Sequence, residues 1–237
     1  MFRAYAQLVR LPNVFTTWAD VWLGLLIAQS TLVDGVCWQA GTLAFITSTC
    51  FYWAGMVLND FFDAAIDAKE RPFRPIPSGR VSKRTAGILG FGFLLLGVGG
   101  TIVPIFVGSV APLTLGLTLG LLILAYDAWS KHTLLGPFNM GACRFVNLLS
   151  AIAMVGADLQ WWMTGVGAIV GVYVASLTFV ARHEATSPRI QQLIKFALMG
   201  IMVLDASLAY ALVGPVGLLI LLLLPPALLL GRWIYST

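Results

Sequence analysis

The polar and apolar positions of this chain fall into long blocks rather than short alternations. Apolar runs recur over about 13–32, 38–60, 85–107, 110–127, 137–157, 162–181, 192–213 and 215–233. Each is close to the roughly 20 residues that an α-helix needs to cross a hydrocarbon core. A membrane β-barrel would instead show ~10-residue strands of alternating polarity, and the unbroken runs Phe93–Gly100 and Leu218–Leu224 argue against it. The blocks predict an all-α membrane protein, a polytopic bundle of about eight transmembrane helices, with 1–237 as a single domain. Gly116-x-x-x-Gly120 and Gly167-x-x-x-Gly171 lie inside spans, where small residues let helices approach closely. Pro225-Pro226 marks a break within the last span, because proline lacks the amide a helix interior needs.

Composition narrows the class further. Hydrophobic residues make up 59% of the chain and charged residues 10%, with a mean hydropathy of +0.90. Soluble domains carry about 25% charged residues, so this chain has too few to clothe a soluble globule. Its hydrophobicity also excludes disorder. The net charge of +4 and pI of 9.2 do not describe a nucleic-acid binder, because the basic residues are too sparse to form a basic face. Cys37, Cys50 and Cys143 are too widely spaced for a disulfide framework or a zinc site and read as small buried hydrophobes.

The distribution of charge orients the bundle. Arg3 and Arg10 precede the first span, and Lys69, Arg71, Arg74, Arg80, Lys83 and Arg84 lie between the second and third. Lys131 follows the fourth, Arg182, Arg189 and Lys195 flank the 6–7 connection, and Arg232 sits near the C-terminus. The opposite connections, 33–37, 108–110, 158–161 and 213–215, carry only Asp34 and Asp158. The positive-inside rule places both termini and the 60–84 loop in the cytoplasm; in a bacterium the membrane would be the inner one. The first span is long, polar in places and lacks a cleavage site, so we expect it to be retained rather than removed as a signal peptide.

The chemistry concentrates at the end of the second span, which reads Asn59-Asp60-x-x-Asp63-x-x-x-Asp67. At about 100° per residue these three carboxylates share one helix face. Like charges stacked in this way destabilise a helix unless cations neutralise them. Hard oxygen ligands at this spacing suit Mg²⁺, which is commonly completed by waters and substrate phosphates. The alternative is an exposed acidic cap. Next comes Lys69-Glu70-Arg71-Pro72-Phe73-Arg74-Pro75-Ile76-Pro77-Ser78-Gly79-Arg80. Its arginines can fork onto phosphate oxygens, and its prolines limit the freedom of the loop. Anchoring at the membrane surface is the competing role, most of all for Arg80, Lys83 and Arg84.

These residues resemble the UbiA superfamily of intramembrane prenyltransferases. The likeness is carried by Asn59, Asp60, Asp63, Asp67 and Arg71-Pro-x-Arg74-Pro-x-Pro-x-Gly79. It extends to Asn13 after Arg10-Leu-Pro, to Tyr126 through Lys131, and to Gly136 and Gly141. The resemblance implies a helical bundle around a central cavity that opens sideways to lipid. It further implies Mg²⁺-dependent transfer of an isoprenoid chain from a polyprenyl diphosphate to a lipophilic, often aromatic, acceptor. Asp60, Asp63 and Asp67 would hold the metal, with Asn13 and Asn59 at the diphosphate. The family carries a second aspartate-rich element between its sixth and seventh spans. Here that stretch reads Phe179-Val-Ala-Arg182-His183-Glu184-Ala-Thr-Ser-Pro-Arg189. Glu184 is its one acidic candidate ligand, with His183 beside it, while Arg182 and Arg189 are placed to hold phosphate directly.

Ionisable groups at membrane depth usually line a cavity or pathway. Asp20, Asp205 and Arg144 are of this kind, with Asn147 one turn beyond Arg144 on the same face. Arg144 either meets a diphosphate or forms an internal ion pair, for example with Asp20. Asp127, His132 and His183 read as interfacial. Trp129, Trp161, Trp162, Trp233 and Tyr235 read as an aromatic belt. Phe51, Tyr52 and Trp53 either pack or stabilise an allylic cation. The resulting expectation is metal-assisted ionisation. Asp60, Asp63 and Asp67 hold Mg²⁺, Arg71, Arg74, Lys131 and Arg144 bind diphosphate, and the dry cavity protects the cation. A non-catalytic carrier of isoprenoid lipids is the second reading. A secondary transporter is the third, but no inverted repeat supports it.

Overall fold

A computed structural model describes residues 2–33, 35–182 and 188–234. It is helical throughout, in the order α1 (Phe2–Leu8), α2 (Val14–Thr31), α3 (Trp38–Glu70), α4 (Lys83–Ile102), α5 (Ala111–Ala128), α6 (Gly136–Met154), α7 (Trp161–Ala181), α8 (Pro188–Val213) and α9 (Leu224–Trp233). Short 3-10 turns at Leu11–Asn13, Val103–Val107 and Ser130–His132 and a longer one at Pro215–Leu223 join them. Among the described residues, seven helices are long and apolar enough to cross a membrane. The eighth expected segment, α6, has 19 residues and carries Asn139, Arg144 and Asn147. It packs against α2, α3, α5 and α7, so these polar groups face protein.

The expected boundaries shift where local chemistry dictates. The second helix does not end at 60: α3 spans 33 residues from Trp38 to Glu70, so the acidic motif is helical, as its shared face implies. Cations from other segments neutralise its stacked carboxylates and let the helix continue. It stops at Arg71, whose φ of −140° and ψ of 60° suit a residue ahead of proline, which is steered from the helical region. The last span is also not one α-helix. Pro215–Leu223 is 3-10 for nine residues before α9 begins with Pro225 and Pro226 in its first turn, where their missing amides leave no helical bond unmade. The N-terminal α1 was not expected; Ala4 and Leu8 bury against Val57, Val81 and Ala86. Cys50 is buried as expected, Cys143 is half-buried, and Cys37 is exposed at the start of α3.

Two large clusters make most of the core. The larger joins α2 and α6 to α7, α8 and the last span through Leu23, Ile27, Leu148, Ile152, Met202 and Ile220. The other joins α3, α4, α5 and α6 through Phe51, Leu58, Leu94, Leu119 and Val146. Small residues set the closest crossings. A Cβ on Gly171 of α7 would sit 3.0 Å from the Gly141 carbonyl oxygen of α6, and one on Gly116 of α5 would sit 2.6 Å from the Thr101 side chain of α4. Each predicted Gly-x-x-x-Gly pair thus contributes a close helix approach.

Candidate active site

The two clusters leave between them a cavity of about 440 Å³, within the range of small-molecule sites. Along α3 its wall runs from Asp63 through Asn59, Met56, Gly55, Tyr52 and Phe51 to Ser48. That is about 22 Å of helix at 1.5 Å per residue. Arg10, Arg71, Arg74, Lys131 and Asp127 surround one end, and Thr17, Ser48, Arg144 and Asn147 close the other. Apolar side chains, including Phe51, Leu119 and Ile123, lie between. A polar, cation-rich mouth therefore leads into a largely apolar middle and a second polar floor.

At the mouth each acid of the motif meets a cation. Arg74 Nη1 donates to Asp67 Oδ2 at 2.8 Å and to Asp60 Oδ1 at 3.3 Å. Arg10 Nη2 reaches the same Asp60 oxygen at 3.4 Å. Lys131 Nζ pairs with Asp63 Oδ1 at 2.8 Å, and His132 Nε2 lies 3.8 Å from it. Asp60, Asp67 and Arg74 are buried; of the three aspartates only Asp63 lines the cavity. The turn after α3 places Arg74, and Arg80 braces that turn by donating to the Phe73 carbonyl at 2.5 Å, to Ser78 Oγ at 2.9 Å and to Gln7 Oε1 of α1 at 2.7 Å. Gly79, at φ 74°, supplies the left-handed residue that closes the turn. Lys83 lies over the Phe61 ring. Arg80 and Lys83 thus have local partners, while Arg71 is exposed on the cavity wall.

Sequence reasoning missed several groups. Arg10 was read only as a topological charge, yet a left-handed backbone, φ 47°, turns the chain just before α2 and leaves its guanidinium on Asp60. Tyr52 donates its hydroxyl to the Arg10 carbonyl at 3.2 Å. Asp127 is not interfacial. It is buried beside the motif, accepts from Asn59 Nδ2 at 3.1 Å through Oδ1, and leaves Oδ2 without a hydrogen-bond partner. Helical phase was the available signal: Asp127 lies on the face of α5 that carries the buried Gly116, Gly120 and Ile123.

At the floor Arg144 is ion-paired with Asp20. Its Nη1 donates to Asp20 Oδ2 at 2.8 Å and to Thr17 Oγ1 at 3.2 Å, and its Nη2 to Thr16 Oγ1 at 2.7 Å. Asn147 Nδ2 also reaches Asp20 Oδ2, at 3.3 Å, and Ser48 Oγ donates to Asn147 Oδ1 at 2.6 Å. Arg144 is thus an internal ion pair and part of the cavity wall. Asp205 of α8 abuts Asp20, is fully buried and, among the described residues, has no hydrogen-bond partner on either oxygen. Phe51 and Tyr52 line the cavity, whereas Trp53 turns to Phe93 at 5.3 Å between ring centroids.

Other expected residues lie elsewhere. Asn13 is half-buried where α2 begins and does not line the cavity. Arg182 donates through Nη2 to the Lys131 and Thr133 carbonyls, so it braces the turn that carries Lys131. His183 and Glu184 lie outside the described residues, as does the side chain of Arg189.

The donors at the mouth suit Mg²⁺ chemically. Asp60, Asp63, Asp67, Asn59 and Asp127 offer only hard oxygens, and one buried Asp127 oxygen is unsatisfied. They do not form a finished cage: among the described residues no three acids, histidines or cysteines are grouped closely enough to hold a metal. Mg²⁺ often binds through one or two carboxylates plus substrate phosphates, and this mouth fits that mode.

Fold and cavity define a membrane-embedded helical protein with an acidic motif and a cluster of cations at the entrance to an internal chamber. The UbiA prenyltransferase family profile matches residues 15–237, and the chain belongs to that family. Among curated relatives it is 34% identical over 181 residues to a digeranylgeranylglyceryl phosphate synthase of Methanoregula boonei, covering 76% of this chain and 58% of that one. A protein of the same name from Methanosarcina mazei is 31% identical over 193 residues, covering 76% and 63%. The chain thus spans about six-tenths of the length of these relatives. Among solved structures, a UbiA homologue from Archaeoglobus fulgidus bound to DMAPP and Mg²⁺ aligns with a TM-score of 0.65 at 13% identity, covering 99% of this chain and 89% of that one. A digeranylgeranylglyceryl phosphate synthase structure aligns at 0.64 and 16%, covering 97% of each. At such identities the structural likeness establishes the fold.

Proposed function

We propose that this chain, acting as one unit over 1–237, transfers a prenyl group from a polyprenyl diphosphate to a lipophilic acceptor within the membrane, with Mg²⁺ as cofactor. The observation that carries the reading is the cavity itself, which joins a mouth of carboxylates and cations to an apolar chamber. The names of the curated relatives favour a glyceryl phosphate lipid over an aromatic acceptor. Both termini and the 60–84 segment face the cytoplasm in this reading, in line with the distribution of Lys and Arg.

Asp60, Asp63 and Asp67 would hold the metal, whose charge, when bound, offsets that developing on the departing diphosphate. Arg71, Arg74, Lys131 and Arg10 bind and orient the diphosphate oxygens at the mouth, where charge-assisted hydrogen bonds are strongest. Asn59 is held in place by Asp127. The apolar wall from Met56 to Phe51 accommodates the isoprenoid tail and keeps water from the allylic cation. The ring faces of Phe51 and Tyr52 add favourable charge–quadrupole contact. The acceptor oxygen or carbon bonds to the allylic carbon as the carbon–oxygen bond to diphosphate breaks, and the acceptor gives up its proton.

Asp60→Ala and Asp63→Ala should each lower Mg²⁺-dependent diphosphate release from geranylgeranyl diphosphate by about 10²-fold or more, measured on the detergent-solubilised chain. Retained turnover in both variants would refute the site. The acid-poor 179–189 stretch favours a second reading, a non-catalytic isoprenoid-lipid carrier. Thermal stabilisation by Mg²⁺ and geranylgeranyl diphosphate without any release would select it.

A further inference from the structure

The three carboxylates of the motif are engaged before any ligand arrives. Asp67 and Asp60 share Arg74 at 2.8 and 3.3 Å, Arg10 adds a contact to Asp60 at 3.4 Å, and Asp63 holds Lys131 at 2.8 Å. A divalent cation that enters alone must take a carboxylate from its partner and leave an ammonium or guanidinium unpaired in a nearly buried site. A diphosphate that enters alone must compete with those same carboxylates for the cations. Both routes leave a charge uncompensated, which is expensive away from bulk water.

The two cations nearest the motif have donors to spare. Among the described residues, Arg74 Nε is buried without a hydrogen-bond partner, and Lys131 Nζ, although ion-paired, makes no well-angled hydrogen bond. Both residues border the cavity, and Lys131 stands on the short turn Ser130–His132 rather than within a long helix. Their charge is matched while their hydrogen-bonding capacity is not, and the unused donors belong to side chains that line the chamber.

We infer that Arg74 and Lys131 are exchange cations. They neutralise the carboxylates through the ion pairs described and pass to the diphosphate oxygens when a divalent cation takes the carboxylates. This rests on the reading of the mouth as a metal–diphosphate site and adds the rule by which it loads. Metal and diphosphate are taken up together, each accepting the groups the other releases. Because such coupling is reciprocal, each tightens the other by the same factor. An empty site therefore holds little metal, and prenyl diphosphate without metal holds weakly.

The test is Mn²⁺ binding by equilibrium dialysis on the full detergent-solubilised chain, with and without inorganic diphosphate. Wild type is compared with Lys131→Met and Arg71→Met. Arg71 borders the same cavity but, among the described residues, makes no ion pair with the motif, so Arg71→Met controls for the loss of one positive charge. Without diphosphate, Lys131→Met should bind Mn²⁺ about tenfold more tightly than wild type, while Arg71→Met stays within about threefold. With diphosphate the advantage of Lys131→Met should vanish, so its metal–diphosphate coupling shrinks by about the same tenfold. Lys131→Gln gives the same comparison if the methionine variant does not fold. Equal bare-metal affinities in the Lys131 and Arg71 variants, with wild type binding Mn²⁺ well in diphosphate, would overturn the exchange alone. Absence of Mn²⁺ binding to wild type even with diphosphate would overturn the metal–diphosphate reading with it.

Discussion

At the mouth of the cavity Arg74 divides itself between Asp60 and Asp67, and Asp60 between Arg74 and Arg10. At the floor Asp20 has one cationic partner among the described residues, Arg144, which also donates to Thr16 and Thr17, and Asn147 supports the same carboxylate oxygen. Both sets are shielded from water, yet they are built for different ends. The mouth has several cations and acids in contact, so losing one partner leaves another. The floor has one pair, supported by further hydrogen bonds from Arg144 and Asn147, and it ties α2 to α6. Redundant pairing makes partners exchangeable, whereas solitary pairing makes them structural.

The largest effect expected from this contrast is at the floor. Asp20→Ala takes from the buried Arg144 guanidinium the carboxylate it is paired with and should cost about 3–5 kcal/mol, read as loss of thermal stability in detergent. A double variant, Asp20→Leu with Arg144→Met, should recover most of it, since replacing both ions by apolar groups is often neutral. At the mouth Asp67→Asn should cost about 1.5–3 kcal/mol, the worth of one hydrogen bond to a charged group, because Arg74 keeps Asp60. Equal losses at Asp20 and Asp67 would erase the distinction between mouth and floor. The smallest effect carries the opposite sign. Asp205→Asn removes one of two abutting carboxyls and offers an amide donor to Asp20 Oδ1, which has no partner. It should raise stability by about 1 kcal/mol; a lower melting temperature would show that the Asp205 carboxyl itself is needed.

The helices and the acidic motif were legible in the sequence because they are local. Apolar run length gives spans, and the 60–63–67 spacing gives one helix face. Arg71, Arg74 and Lys131 were legible as cations near the motif, although the acids that Arg74 and Lys131 meet were not. Arg10 escaped because a left-handed turn, set by tertiary packing, swings it onto a motif 50 residues later. Asp127 escaped because its position at the end of a hydrophobic run is equally consistent with water and with a cavity; only the placement of α3 beside α5 decides it. The apolar run ends near 60 while α3 continues to Glu70, because run length marks where a helix leaves the hydrocarbon and not where it stops. The pairing of Asp20 with Arg144 was foreseen as one of two options, and the option depended on how α2 meets α6.

The 3-10 stretch in the last span has a consequence for reach. A 3-10 helix rises about 2.0 Å per residue against 1.5 Å for an α-helix. The nine residues Pro215–Leu223 therefore extend about 18 Å, and the ten of α9 about 15 Å. Together these 19 residues cover roughly 33 Å, slightly more than a hydrocarbon core of about 30 Å, where a plain α-helix of the same length would fall just short. The narrower coil also lets Gly217 rest directly against the backbone of Ala209 and Tyr210. A Cβ at 217 would push the two apart, so a side chain there would force the segment outward or back toward a shorter, wider helix.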